Sequence, residues 1–165
     1  MLEGLVARFD HVGVAGPRIR DLLPIYHELL GGRFLKGGDN PRFNYRALQL
    51  EYADGTRIEL LEPLPGSTFF DSFFSRGRGG GLHHVTFTVG DMQTAIEALR
   101  SRGFSLTGLY LEDRSWQEVF LHPREAYGTL VQLAHSEIPL PETRGLTIEQ
   151  LLSGEGPEGR GIPSP

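Results

Sequence analysis

Four residues of this 165-residue chain have the types and spacing to hold a metal ion: His11, Glu59, His84 and Gln132. His11 and Glu59 are 48 positions apart, and so are His84 and Gln132. If the chain carries two copies of one unit in register, His11 matches His84 and Glu59 matches Gln132. Two imidazoles and a carboxylate meeting in one cavity suit iron(II), manganese, cobalt, nickel or zinc. They also leave coordination positions open for water and substrate. Gln132 would add a neutral amide oxygen as a fourth ligand, by preorganisation rather than by softness. A lone strand histidine is more often a satisfied hydrogen-bonding residue than a ligand; the offset shared by two residue pairs is what favours one divalent metal ion here.

The elements that would position these residues also come in duplicate. Phe9-Asp10-His11-Val12-Gly13-Val14 is similar to His83-His84-Val85-Thr86-Phe87 and its neighbours. Both read as strands by alternation, with Val12 and Val14, or Val85, Phe87 and Val89, on one face and the histidines His11 and His84 on the other. A helical pattern follows each. The first places Leu22, Ile25, Tyr26, Leu29 and Leu30 on one apolar stripe, stopped by Gly31-Gly32. The second uses Met92, Ala95, Ile96 and Leu99, with Asp91 as N-cap and Gly103 as the stop. Three strands are expected after each helix: 33–36, 45–52 and 56–62, then 104–108, 117–122 and 129–134. Alternation puts Ile58 and Leu60 on the helix-packing face and Glu59 on the opposite one.

The predicted fold is therefore α+β, two βαβββ modules paired into a curved mixed sheet of half-barrels around a metal cavity. One domain spans 1–137, with modules at about 8–63 and 80–135 and a crossover at 64–79. The crossover is expected to hold a short helix through Phe69, Phe70, Phe73 and Phe74. A Pro/Gly-rich tail, 138–165, is expected to be partly disordered beyond Ser153 apart from one short helix opened by a Thr147–Gln150 capping box.

Composition narrows the chemistry. The chain has no cysteine, which excludes disulfides, thiolate metal sites and cysteine nucleophiles. Its formal net charge of −5 gives no electrostatic reason to bind nucleic acid or an anionic membrane. The first ten residues do not read as a signal peptide, and no stretch reaches the ~20 apolar residues of a membrane span, so a cytoplasmic location is expected. Candidate substrate contacts are Tyr45, Trp116 and His122, the first two reading equally well as core. His83, His27 and His135 read as packing or surface residues. Arg42, Arg46, Arg76, Arg78, Arg114 and Arg124 flank the expected cavity mouth and suit a carboxylate or phosphate, although scattered surface arginines are the plainer reading.

Over roughly residues 8–135 the chain resembles the vicinal oxygen chelate superfamily, which includes glyoxalases, methylmalonyl-CoA epimerases, extradiol dioxygenases and bleomycin-binding proteins. The resemblance rests on Phe9 to Val14, Arg57-Ile58-Glu59-Leu60-Leu61-Glu62-Pro63, Gly81-Leu82-His83-His84-Val85, Phe120 to Arg124, and Gly128 to Leu133, and it is nearest to the epimerases. It implies metal ligands at His11, Glu59, His84 and Gln132. The epimerases usually have a glutamate at the fourth position and another carboxylate in the first half. This chain has Gln132 there, and Arg42-Phe43-Asn44-Tyr45-Arg46 where the other acid would stand.

The reaction implied is an isomerase, epimerase or glyoxalase type, through a metal-stabilised enolate of a small acyl thioester or 2-oxo acid derivative. Glu59 would serve as ligand and, when displaced, as base. Iron(II) ring cleavage of catechols, with His122 as its acid-base histidine, is the second reading. Metal-free sequestration of a ligand, as in resistance proteins, is the third. The exposed edges of two half-barrels allow a homodimer.

Overall fold

The computed structural model describes residues 5–76, 79–138 and 145–154. The first module runs β1 (Val6–Ala15), α1 (Ile19–Leu23), β2 (Arg33–Asn40), β3 (Tyr45–Glu51) and β4 (Arg57–Pro63). The crossover carries α2 (Asp71–Arg76). The second module repeats the series as β5 (Gly81–Val89), α3 (Met92–Arg100), β6 (Leu106–Tyr110), β7 (Gln117–Leu121) and β8 (Leu130–His135), before α4 (Ile148–Leu152). The strands form one mixed sheet in the order β2-β3-β4-β1-β5-β8-β7-β6. β1 runs parallel to β4 and β5 to β8, and every other pairing within a module is antiparallel. The predicted duplicated βαβββ order and the mixed sheet are what the structure has.

Packing sorts these elements into two compact units that cut across the modules. One is built from residues 5–11 and 84–138, the other from 12–76, 79–83 and 145–154. In the first unit α3 lays Met92, Ala95, Ile96 and Leu99 on Val89, Val119 and Leu133. Burying each large aliphatic side chain there contributes about 1.5–3 kcal/mol. Asp91 caps the helix by accepting the Thr94 N–H at 2.7 Å, as its sequence position suggested. In the second unit Val14, Leu48, Leu50 and Leu60 pack under Ile19 and Leu23 of α1, with Val12 and Ile58 partly buried beside them. The strand faces assigned from alternation thus hold on both sides.

Two sequence expectations need correction. The apolar stripe expected in the first helix is only partly buried: Leu22 and Tyr26 pack against the core, whereas Ile25, Leu29 and Leu30 are 50, 78 and 54% exposed. Pro24 has no N–H to donate and cannot continue an α-helix normally. From Pro24 to Leu29 the chain takes a π-helical pitch, with the Leu30 N–H reaching the Ile25 carbonyl at 2.9 Å. The changed pitch leaves Ile19 and Leu23 as the buried anchors. Strand β2, in turn, does not stop at Lys36 but continues through Gly37-Gly38-Asp39-Asn40, a run that reads as a turn. Those residues pair with Tyr45 to Leu48, and Gly37 is small because α4 sits on it: an added Cβ would lie 2.3 Å from Leu151 Cδ2 and 2.9 Å from the Ala47 carbonyl oxygen.

Helix α4 carries the predicted capping box, with Gln150 N–H donating to Thr147 Oγ1 and Thr147 N–H to Gln150 Oε1. It is anchored on the second unit by Leu151, 2% exposed in the core, by a two-pronged Arg20–Glu149 pair, and by Arg46 donating to the Leu152 carbonyl. The expected disorder beyond Ser153 concerns residues 155–165, which lie outside the described residues. Among the described residues no helix is long and apolar enough to cross a membrane.

Candidate metal centre

Within the first unit the two histidines come together. β1 contributes His11, the last residue of its share of that strand, and β5 contributes His84, the first of its share. Both are buried, at 0 and 4% exposure, with their Nε2 atoms 3.3 Å apart. Asp10 reaches back to His11: its Oδ2 lies 2.9 Å from Nδ1 while its Oδ1 takes a hydrogen bond from Arg8. A carboxylate only accepts, so this contact assigns the His11 proton to Nδ1 and leaves a lone pair on Nε2.

The register of β5 with β8 sets Thr86 directly across from Gln132. The Thr86 hydroxyl donates to Gln132 Oε1 at 2.5 Å, and its oxygen stands 3.1 Å from His11 Nε2. Having spent its single proton on Gln132, Thr86 offers His11 a lone pair. Gln132, 1% exposed, donates through Nε2 to Glu118 Oε2 at 2.7 Å, and the Trp116 indole N–H donates to the same oxygen at 3.2 Å. Glu118 is fully buried.

In the second unit Glu59 is 3% exposed and stands across from Gly13 on β1 and from Gln49 on β3. Gln49 is 2% exposed, and its Oε1 has no hydrogen-bond partner among the described residues. His11 lies two residues before Gly13 on the same strand, so alternation gives it the face that Glu59 occupies in the β1–β4 ladder.

These donors fit a cation. His84 Nε2 and the Thr86 oxygen both lie within hydrogen-bond distance of His11 Nε2, so three ligand-type atoms converge at one buried place. The 3.3 Å between the two Nε2 atoms is the spacing of two nitrogen ligands each about 2.1 Å from one ion. A buried amide oxygen without a donor, on Gln49 beside Glu59, adds another electron-rich atom on the strand face that carries the carboxylate.

Tyr45, 5% exposed, stacks in an aromatic cluster with Phe43, Phe69 and Phe70. His83 packs into the same group against Phe70 and Phe73 and is held neutral by burial, its pKa pushed down to about 4. It is the packing residue expected. Trp116 is buried and committed to Glu118. His122 accepts the Arg124 N–H in the turn after β7, and His27 and His135 bond backbone carbonyls. Of the arginines, Arg46 is no mouth residue: it is 8% exposed, paired with Asp39 and Glu62. Arg114 pairs with Glu137, Arg76 bonds the Ser72 carbonyl, and Arg42 lies over the Phe43 ring. Arg78 lies outside the described residues.

Sequence reading missed Asp10 and Glu118. The signal for Glu118 was present: if Val119 faces the helix layer, Glu118 and Phe120 share the face of Gln132, and Phe120 is indeed its cross-strand partner. For Asp10 the signal was weaker, since neighbours on a strand point to opposite faces, and only the bent-back side chain brings its carboxylate to the next residue's ring.

Comparison with known proteins follows this geometry. A family model described as the Glyoxalase/Bleomycin resistance protein/Dioxygenase superfamily matches residues 10–120. An ethylmalonyl-CoA/methylmalonyl-CoA epimerase of Cereibacter sphaeroides is 27% identical over 132 residues, covering 78% of this chain and 98% of its own. The crystal structure of a methylmalonyl-CoA epimerase from Mycobacterium tuberculosis superimposes with a TM-score of 0.73 at 26% identity, over 84% of this chain and 93% of that one. A hypothetical protein from Bacillus halodurans is 31% identical, with a TM-score of 0.70 over 81% of this chain and 97% of its own.

Proposed function

Because this chain belongs to the glyoxalase/bleomycin resistance protein/dioxygenase superfamily, we propose that it is a metal-dependent, epimerase-type isomerase acting on a small acyl thioester. The observation that carries the metal reading is the buried pairing of His11 and His84, with the His11 proton held on Nδ1 by Asp10. In this reading the ligands are His11, Glu59 and His84, each of them a buried side chain of ligand type, with Gln132 as the fourth. The epimerase names of relatives that match over most of their length support the reaction class.

A divalent cation held there would supply Lewis acidity, lowering the cost of negative charge on the substrate's adjacent oxygens. The chain's own residues do the rest. Asp10 keeps the His11 tautomer, and Glu118 and Thr86 hold Gln132. Gln132 cannot take a proton as an amide, so the base falls to Glu59, which accepts the α-proton and returns it. Removing the α-proton makes the α-carbon planar, and once that planar species turns its other face to the protonated Glu59, delivery of the proton there gives the other epimer. The solution state proposed is a cytoplasmic homodimer.

Glu59→Gln tests the assignment, because it keeps the size of the side chain but abolishes the base. With methylmalonyl-CoA in deuterium oxide, α-proton exchange followed by NMR is expected to slow by about 10²–10⁴-fold. Exchange at the wild-type rate rules Glu59 out as the base. Elemental analysis of untagged protein checks the metal independently: a metal-free protein that still binds acyl-CoA points to sequestration, and oxygen uptake on catechols after iron(II) loading points to ring cleavage.

A further inference from the structure

We propose that Glu118 is a positioning residue that fixes which end of the Gln132 amide faces the histidines, an inference that rests on the metal reading above. An amide's oxygen and nitrogen are nearly equal in size, so only its partners decide which way it points. Gln132 is gripped from both sides. Glu118 accepts from Nε2 at 2.7 Å, and the Thr86 hydroxyl donates to Oε1. Turning the amide over would set its oxygen against the buried carboxylate and force the Thr86 hydroxyl to turn its proton away from Gln132. The grip therefore keeps the amide oxygen, the only end that can ligate a cation, on the side of Thr86 and His11. Trp116, donating to the same Glu118 oxygen at 3.2 Å, holds the carboxylate in place.

The asymmetry between the modules agrees with this role. In the ladders Gln132 faces Phe120 and Glu59 faces Gln49. Counting back two residues along each partner strand, Glu118 corresponds to Ala47; two more, Trp116 corresponds to Tyr45. The half whose ligand is an amide carries an orienting acid, and the half whose ligand is a carboxylate carries alanine. A carboxylate has two equivalent oxygens and no wrong way round. Ala47 is what such a half needs and Glu118 is what the other half needs. Burying an ionisable group is costly unless it is well bonded, and orienting Gln132 gives that cost a purpose.

Metal binding by the intact protein decides the matter, read by competition titration with zinc(II) and by the visible spectrum of the cobalt(II) form. Glu118→Gln replaces an acceptor by a group that accepts or donates, and so releases the amide. Zinc affinity is expected to fall about 10–100-fold, with the cobalt(II) spectrum altered and the melting temperature of the metal-free protein little changed. In a Gln132→Ala background the same substitution should cost nothing further. The reciprocal exchange, Glu118→Gln together with Gln132→Glu, should restore affinity, since a carboxylate ligand needs no orienting partner. Wild-type affinity in Glu118→Gln overturns the proposal. So does an equal loss in the Gln132→Ala background, which would make Glu118 a bulk charge rather than an orienter. A wild-type protein that binds neither zinc nor cobalt sinks the metal reading itself, and the orienting role with it.

Discussion

Replacing Asp10 by alanine should weaken metal binding without touching any ligand atom. In the structure the Asp10 carboxylate is 2.9 Å from His11 Nδ1, and that ring is fully buried. Without the acceptor, the neutral imidazole is free to carry its proton on Nε2, the atom that should bind the ion, and each binding event must first move the proton. Loss of such an orienting partner typically costs 10–100-fold in metal affinity, or about 1.4–2.8 kcal/mol. The buried Nδ1–H left without a partner adds about 1–3 kcal/mol of destabilisation to the fold itself. Three variants separate the two effects. Asp10→Ala should lose both affinity and stability. Asp10→Asn keeps a carbonyl acceptor and should lose little affinity. Arg8→Ala removes an exposed partner of Asp10 and should change stability by less than about 0.5 kcal/mol. Competition titration with zinc(II) gives the affinities, long-range nitrogen–proton NMR reads the His11 tautomer, and urea unfolding gives the stabilities. Equal zinc affinity for wild type and Asp10→Ala would refute the reasoning, as would an Asn variant as weak as the Ala variant.

Gly37→Ala should destabilise by about 1–3 kcal/mol through overpacking, because its methyl would meet Leu151 at 2.3 Å and the Ala47 carbonyl at 2.9 Å. Leu151→Ala should cost about 2–5 kcal/mol, and the double variant should cost measurably less than the two separate losses together; additivity within about 0.5 kcal/mol in urea unfolding would refute the contact. Arg46→Ala removes the guanidinium that pairs with Asp39 and Glu62 and donates to the Leu152 carbonyl and should cost about 1–3 kcal/mol, yet leave acyl-CoA affinity unchanged, as isothermal calorimetry would show. A parallel drop in affinity would return Arg46 to the substrate site.

Much of this architecture was legible because strand alternation is a two-state code. Once Val12, Val14, Ile58 and Leu60 face the helices, His11 and Glu59 have one other face to occupy, and the same holds for His84 and Gln132. The shared offset then tied the two halves together. Where the reading failed, the cause was a local exception to a periodic rule. Pro24 changes the helical pitch without ending the helix, so a 3.6-residue stripe keeps Leu22 and Tyr26 on the core but wrongly adds Ile25, Leu29 and Leu30. Gly37-Gly38-Asp39-Asn40 looks like a turn in composition, and only the presence of Leu151, over a hundred residues later, explains why a strand edge there is made of glycine. Arg46 was misplaced for a related reason: its partners Asp39 and Glu62 sit on neighbouring strands, and ladder register is invisible in a linear string. Glu118 could have been assigned from alternation, whereas the Asp10–His11 contact needed coordinates.

The division of β1 and β5 between the compact units has a consequence for cutting the chain in two. A gene cut in the crossover would encode two products, neither holding a complete unit, because each unit needs strand residues from both sides of the cut. Two fragments separated in the crossover should accordingly remain unfolded alone and regain structure only when mixed.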